Sequence, residues 1–105
     1  MSTDLHPKEG ARYLFEIREG ASDEAAVYSG SVFTPDSRFD YRVALELSGG
    51  YAIEPEDEDD TAGPDLEKRL GNFARQIARA AQGKLDDGLP AWPPRVLRWR
   101  GPGRG

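Results

Sequence analysis

The 105-residue sequence contains no cysteine and a single histidine, His6. Without cysteine the chain can have no disulfide framework, no cysteine nucleophile and no thiolate ligand for a metal ion. His6 lies in a polar leader, where a catalytic base would lack the rigid partners that hold it against a nucleophile. We therefore expect a non-enzymatic protein without catalytic residues, without a bound metal ion and without any other cofactor.

Long apolar runs are also missing. No stretch approaches the roughly 20 residues of a membrane helix, and the first residues lack the basic and apolar regions of a signal peptide. We expect a cytoplasmic protein that does not associate with membranes. The length predicts one domain, 1–105, with its core at about 11–100 and with disorder over 1–10 and 101–105.

What the sequence does contain is a regular alternation of apolar and polar residues. The clearest pattern covers 39–47, where every second residue is apolar: Phe39, Tyr41, Val43, Leu45 and Leu47. Shorter patterns predict strands at 12–19, 25–34 and 51–54, with turn-forming residues between them. Consecutive strands joined by short turns form an antiparallel meander. Gly30, inside the second strand, indicates either a bulge or a close approach of neighbouring groups.

One helix is predicted from Pro64 to a stop at Gly83. Apolar residues recur there at helical spacing: Leu66, Leu70, Phe73, Ile77 and Ala80 or Ala81. The fold class is therefore α+β, an antiparallel β-meander of about four strands with one amphipathic helix packed on one face, followed by a C-terminal strand. In that last strand, 95–100, we expect Leu97 and Trp99 to point inward and Val96, Arg98 and Arg100 to lie on the other face.

The segment 54–63 is strongly acidic and predicts a solvated, mobile loop. It does not match a calcium-binding EF-hand loop. Counted from Asp57, the sixth position is Ala62 where a glycine is needed, and the twelfth is Lys68 where a glutamate is needed. Weak ion binding by its carboxylates is left open by the sequence.

A second stripe on the helix, opposite the apolar one, is polar and basic. Together with the last strand it forms a candidate interaction surface: Lys68, Asn72, Arg75, Arg79, Arg98 and Arg100. Trp92 and Trp99 lie among these arginines in the sequence. Basic residues interleaved with aromatic ones can bind single-stranded nucleic acid. We expect Trp92, however, to close one end of the core.

Three functions remain open, because no catalytic or phosphate-binding motif is present. The first is a small non-enzymatic protein-interaction or regulatory domain, with another protein as its partner. The second is a nucleic-acid-binding accessory protein, although the net charge of −5 disfavours it. The third is a small-molecule binder with a pocket between helix and sheet, where Gly71, Ala74 and Ala78 would leave space. The sequence does not indicate an oligomeric state.

Overall fold

The computed structural model describes residues 5–101, and residues 1–4 and 102–105 lie outside the description. The disorder expected for residues 1–4 and 102–105 therefore stays a prediction, whereas the leader residues His6 and Glu9, in the segment also expected to be disordered, contact Phe33 and Trp99. The elements, in chain order, are β1 (Ala11–Ile17), β2 (Ala25–Phe33), β3 (Arg38–Glu46), β4 (Tyr51–Pro55), α1 (Pro64–Asp86) and β5 (Arg95–Arg100). All five strands form one antiparallel sheet in the order β4-β3-β2-β1-β5, and α1 packs on one of its faces. The predicted α+β meander with a C-terminal strand is confirmed. No helix within residues 5–101 is long and apolar enough to cross a membrane.

The core lies between α1 and the sheet, and aromatic residues supply much of its volume. The largest side chains that are fully buried are Tyr13, Phe15, Tyr28, Val32, Tyr41, Val43, Leu45 and Leu70. The face predicted for β3 is therefore the covered one. Gly30 pairs with Phe15 on β1 and with Tyr41 on β3, so the ladders continue through it without a bulge. A Cβ atom at this position would lie 2.7 Å from Cγ2 of Val43, so the glycine permits close packing.

The helix presents small residues to the sheet. Its buried residues are Leu70, Gly71, Ala74, Ile77, Ala78 and Ala81, whereas Leu66 and Phe73 are only partly buried. Small side chains let the helix lie close to the strands, so Gly71, Ala74 and Ala78 bring the two layers together.

The helix end differs from the prediction. Gly83 lies inside α1, which continues for three more residues to Asp86. Gly88, with a φ angle of 76°, is the residue that terminates the helix. Its N–H donates to the Leu85 carbonyl, and the N–H of Leu89 donates to the Lys84 carbonyl. This is the Schellman arrangement, which needs a left-handed residue after the last turn. Gly83 could not provide it because it keeps a helical conformation.

The last strand joins the free side of β1, and its predicted orientation is wrong. Val96 lies opposite Phe15 and is buried, so Val96, Arg98 and Arg100 share the helix-covered face. Leu97 and Trp99 lie on the open face of the sheet, where they are 38% and 46% exposed. The register with β1 determines this orientation, and a sequence alone does not contain that register.

Two irregular segments pack against the sheet, one at the core and the other on the open face. As expected, Trp92 is buried, and its Nε1 donates to the carbonyl oxygen of Ser22 at 2.7 Å. In the leader, the ring of His6 packs edge-on against Phe33 at 5.4 Å between centroids, and Trp99 Nε1 donates to the carbonyl of Glu9 at 3.1 Å.

Candidate functional site

A groove runs between α1 and β5, because the helix packs over β2, β3 and β4 and leaves β1 and β5 less covered. It consists of two adjoining cavities of about 330 and 450 Å³ that share Phe73 and Gln76. Phe73 forms part of the floor, and its ring packs against Tyr13 at 5.1 Å between centroids. We call this feature the α1–β5 groove.

Most of the predicted interaction surface lines this groove. Lys68, Asn72, Arg75 and Arg100 line the larger cavity, and Arg98 lines the smaller one. The reversed orientation of β5 is what places Arg98 and Arg100 on the helix side. Arg79 lies elsewhere: its Cγ is 3.9 Å from the position of a Cβ atom on Gly49, in the turn between β3 and β4.

The groove is electropositive. The larger cavity has four cationic side chains and a single carboxylate, Asp65, in its lining: Lys68, Arg69, Arg75 and Arg100. No salt bridge within residues 5–101 involves any of these four cations. In the acidic loop, by contrast, the carboxylate of Glu56 forms a salt bridge with Arg18. The positive charges of the groove are therefore available to a ligand.

One wall of the groove is an unpaired strand. Among residues 5–101 no other strand pairs with the outer side of β5. The N–H of Ile17 donates to the carbonyl of Pro94 at 3.0 Å. Backbone groups alternate in direction along an antiparallel strand. Because Pro94 faces β1, the N–H and C=O groups of the alternate residues Arg95, Leu97 and Trp99 point to the outer edge of β5.

On the open face, β5 carries an apolar strip. Leu97 and Trp99 project there, and Leu97 lies opposite the buried Leu14 of β1. The two faces of the same strand thus differ sharply, with guanidinium groups on the helix side and apolar side chains on the other.

The structure does not bring the tryptophans together with the arginines that lie near them in the sequence. Trp92 is in the core, and Trp99 is on the opposite face of the sheet from Arg98 and Arg100. Within the described part of the chain, no group of three His, Asp or Glu side chains is arranged to hold a metal ion. Arg104, a further basic residue near the C-terminus of the sequence, lies outside the described residues.

Sequence reasoning missed Arg69, which lines the groove, and the hydroxyl group of Tyr13. Arg69 lies next to Lys68, but its relevance depends on β5 lying on that side of the helix. Tyr13 lies in the strand predicted over 12–19 and is buried in the core, which raises the pKa of its hydroxyl, and the charges of Arg69 and Arg100 offset part of that rise. Both contributions depend on the pairing of β1 with β5.

Comparisons of the chain with protein-family models, with curated proteins and with solved structures found no match. Inferences about function therefore depend on the geometry and charge of the groove and of the strand beside it.

Proposed function

We propose that the chain is a non-enzymatic protein-interaction domain that binds an extended acidic segment of a partner protein along β5. The segment would add a sixth strand to the sheet, a mode of recognition in which main-chain hydrogen bonds give affinity and alternate side chains give specificity. The observation that carries the proposal is the position of an unpaired strand edge directly beside the basic groove.

The two faces of β5 define the chemistry of the partner. In an added strand, successive side chains point to opposite faces of the sheet. Those on the helix side would meet Arg98 and Arg100, so acidic residues are favoured there. Those on the open face would meet Leu97 and Trp99, so apolar residues are favoured. The partner sequence is therefore expected to alternate acidic and apolar residues.

The opposite edge of the sheet suits a partner less well. The N–H of Glu46 donates to the carbonyl of Gly50, so the same alternation directs the backbone groups of Tyr51, Ile53 and Pro55 outward on β4. Pro55 has no N–H to donate, and proline is a common means of blocking an edge strand. The acidic loop follows immediately, which would repel an acidic segment.

Nucleic-acid binding is the second candidate, and the groove cations are the observation in its favour. Stacking of bases would require an aromatic surface next to those cations. Phe73, the aromatic residue beside them, is partly buried and packs against Tyr13, and the exposed Trp99 lies on the other face of the sheet. A protein segment uses both faces of β5 at once, and this favours the first candidate.

A titration by fluorescence anisotropy tests the proposal. The probe is a labelled peptide in which Val and Glu alternate, compared with a Val and Lys peptide and with a single-stranded oligonucleotide. We expect the Val and Glu peptide to bind most tightly, with an affinity that falls as salt is added. Tighter binding of the oligonucleotide would overturn the proposal in favour of nucleic acid.

Two proline variants separate edge pairing from simple charge attraction. Leu97→Pro removes an outward N–H from β5 without touching the ladder to β1, and we expect it to weaken peptide binding about tenfold. Tyr51→Pro removes the corresponding N–H from β4 and is the matched control, with no expected effect on affinity. Circular dichroism checks that both variants keep the sheet. Equal affinities of Leu97→Pro and the unmodified chain would contradict the pairing.

A further inference from the structure

We infer that Tyr13, Arg69 and Arg100 form a binding site for a phosphate group at one end of the α1–β5 groove. This site goes beyond the strand pairing proposed above and does not depend on it. Its three donors come from β1, α1 and β5, and the pairing of the first strand with the last brings them together.

The first observation is a buried hydroxyl group without a partner. Tyr13 has no solvent exposure, and its hydroxyl makes no hydrogen bond within the described part of the chain. Buried polar groups in folded proteins are nearly always hydrogen-bonded, and an exception calls for an explanation. The other large buried tyrosines follow the rule, since Tyr28 donates to the carbonyl of Pro93 and Tyr41 donates to Glu67.

The second observation is a similar donor nearby. Nε of Arg100 is buried and also lacks a hydrogen-bond partner among residues 5–101. Burial raises the pKa of Tyr13, and the charges of Arg69 and Arg100 offset part of that rise. The two arginines line the same two cavities, so their side chains lie side by side. No hydrogen bond of full geometry joins Arg69 to the hydroxyl, although Arg69 lowers the Tyr13 pKa as a hydrogen-bonding neighbour as well as through its charge. A guanidinium group can donate to the phenol oxygen but cannot accept its proton, so the hydroxyl proton of Tyr13 and the Nε–H of Arg100 both still lack an acceptor.

The third observation is accessible space with an excess of positive charge. Arg69 and Arg100 line two cavities, of about 450 and 430 Å³. Lys68 and Arg75 add two further charges to the larger cavity, against the single carboxylate of Asp65. A ligand that reaches these donors must therefore be an acceptor and an anion.

A phosphate group meets these requirements better than a carboxylate. It offers three acceptor oxygens and a charge of about −1.5 to −2 near neutral pH, whereas a carboxylate offers two oxygens and one charge. Guanidinium groups also bind phosphate through paired, charge-assisted hydrogen bonds. The group could belong to a phosphorylated side chain or to free phosphate, and both sources present the same oxygens.

The test follows the Nε–H resonance of Arg100 by NMR in the isotope-labelled full chain. Inorganic phosphate is titrated first, then a peptide with one phosphoserine, then the same peptide without phosphate. We expect saturable shifts with both phosphate probes and none with the unmodified peptide. Tighter binding of the phosphopeptide would identify a side chain as the source, and equal affinities would identify the free anion. Absence of a saturable shift with either phosphate probe at millimolar concentration would overturn the inference.

Three variants make the assignment specific. Tyr13→Phe removes a hydroxyl that is unsatisfied in the unliganded chain, so we expect a higher melting temperature together with about tenfold weaker phosphate binding. A tyrosine with a merely structural role would give a lower melting temperature. Arg69→Gln should weaken binding at least as much, whereas Arg79→Gln, the same charge change away from the groove, should not. An equal loss in the last two variants would indicate diffuse attraction and would contradict the site.

The same variants distinguish this inference from the strand pairing. Leu97→Pro should leave phosphate binding unchanged, because Leu97 lies on the other face of the sheet. Tyr13→Phe should leave binding of the unphosphorylated Val and Glu peptide unchanged. Either proposal can therefore fail while the other stands.

Discussion

The hydroxyl of Tyr41 on β3 donates a hydrogen bond of 2.8 Å to Oε2 of Glu67 in the first turn of α1. The same oxygen accepts a hydrogen bond of 2.9 Å from the backbone N–H of Ala62, at the end of the acidic loop. One phenol thus joins the sheet, the loop and the start of the helix. The helix has no side-chain cap at its N-terminus, so this contact helps to fix where α1 begins.

Tyr41→Phe tests the contribution of this contact. The change keeps the ring in the core but removes both hydrogen bonds, and the free energy of unfolding should fall by about 1–2 kcal/mol. Urea denaturation measures the loss, and hydrogen exchange at the Ala62 amide should accelerate. Tyr51→Phe, at an exposed position, is the control and should have little effect. Equal stability of Tyr41→Phe and the unmodified chain would show that the two bonds contribute nothing net.

Stability should fall in alkaline solution, from about pH 10 upward. Burial raises the pKa of both Tyr28 and Tyr41 from 10.0 to about 12. The folded chain then retains protons that the unfolded chain releases between these two values, so unfolding is favoured as pH rises through that window. Each tyrosine should contribute a slope of at most about 1.4 kcal/mol per pH unit. Urea denaturation across this range, repeated with Tyr28→Phe and Tyr41→Phe, should show a smaller slope in each variant.

Two glycine-to-alanine changes should alter the stability of the chain in opposite directions. Gly83 lies in the helix interior with nothing within 4 Å of an added Cβ atom, so Gly83→Ala should stabilise the chain by about 0.5–1 kcal/mol. At Gly30 the added atom would lie 2.7 Å from a side-chain atom of Val43. Gly30→Ala should therefore cost about 1–3 kcal/mol. Thermal melting of both variants measures these changes in stability. Destabilisation by Gly83→Ala would argue against a helix that continues to Asp86.

The two tryptophans should differ in their effect on stability. Trp92 is 6% exposed and belongs to the core, whereas Trp99 is 46% exposed. Trp92→Ala should lower the unfolding free energy by about 3–5 kcal/mol because it leaves a cavity. Trp99→Ala should cost about 1 kcal/mol or less, mainly through the lost bond to Glu9. Fluorescence of the single-tryptophan variants should report a buried indole only when Trp92 is retained.

The elements of the fold that could be predicted are those with a strong local pattern. The alternation over 39–47 identified the covered face of β3, because one buried and one solvated side leave a period of two in the sequence. The orientation of β5 could not be found in this way. Its residues alternate too, but Leu97 and Trp99 are the more hydrophobic set, and they lie outside because pairing with β1 places Val96 against the core.

The site was predictable only in part. A stripe of polar residues on a helix is visible in sequence, and Lys68, Asn72 and Arg75 of that stripe line the larger cavity. The groove itself requires knowledge of which sheet edge accepts β5, since that pairing brings Arg100 next to Arg69. The buried hydroxyl of Tyr13 gives no sequence signal, because the same alternation describes a tyrosine with or without a partner.

The pairing of β1 with β5 also has a consequence for the order of folding. β1 to β4 are joined by short hairpins and can form from local contacts, whereas Glu16 meets Arg95 only after almost the whole described chain has been closed into a loop. Such distant pairings form late, because the entropy of loop closure opposes them. Until β5 arrives, β1 is an edge strand with its backbone groups exposed. During that interval, and above all in a concentrated solution, two copies of the chain are most prone to pair with each other through β1.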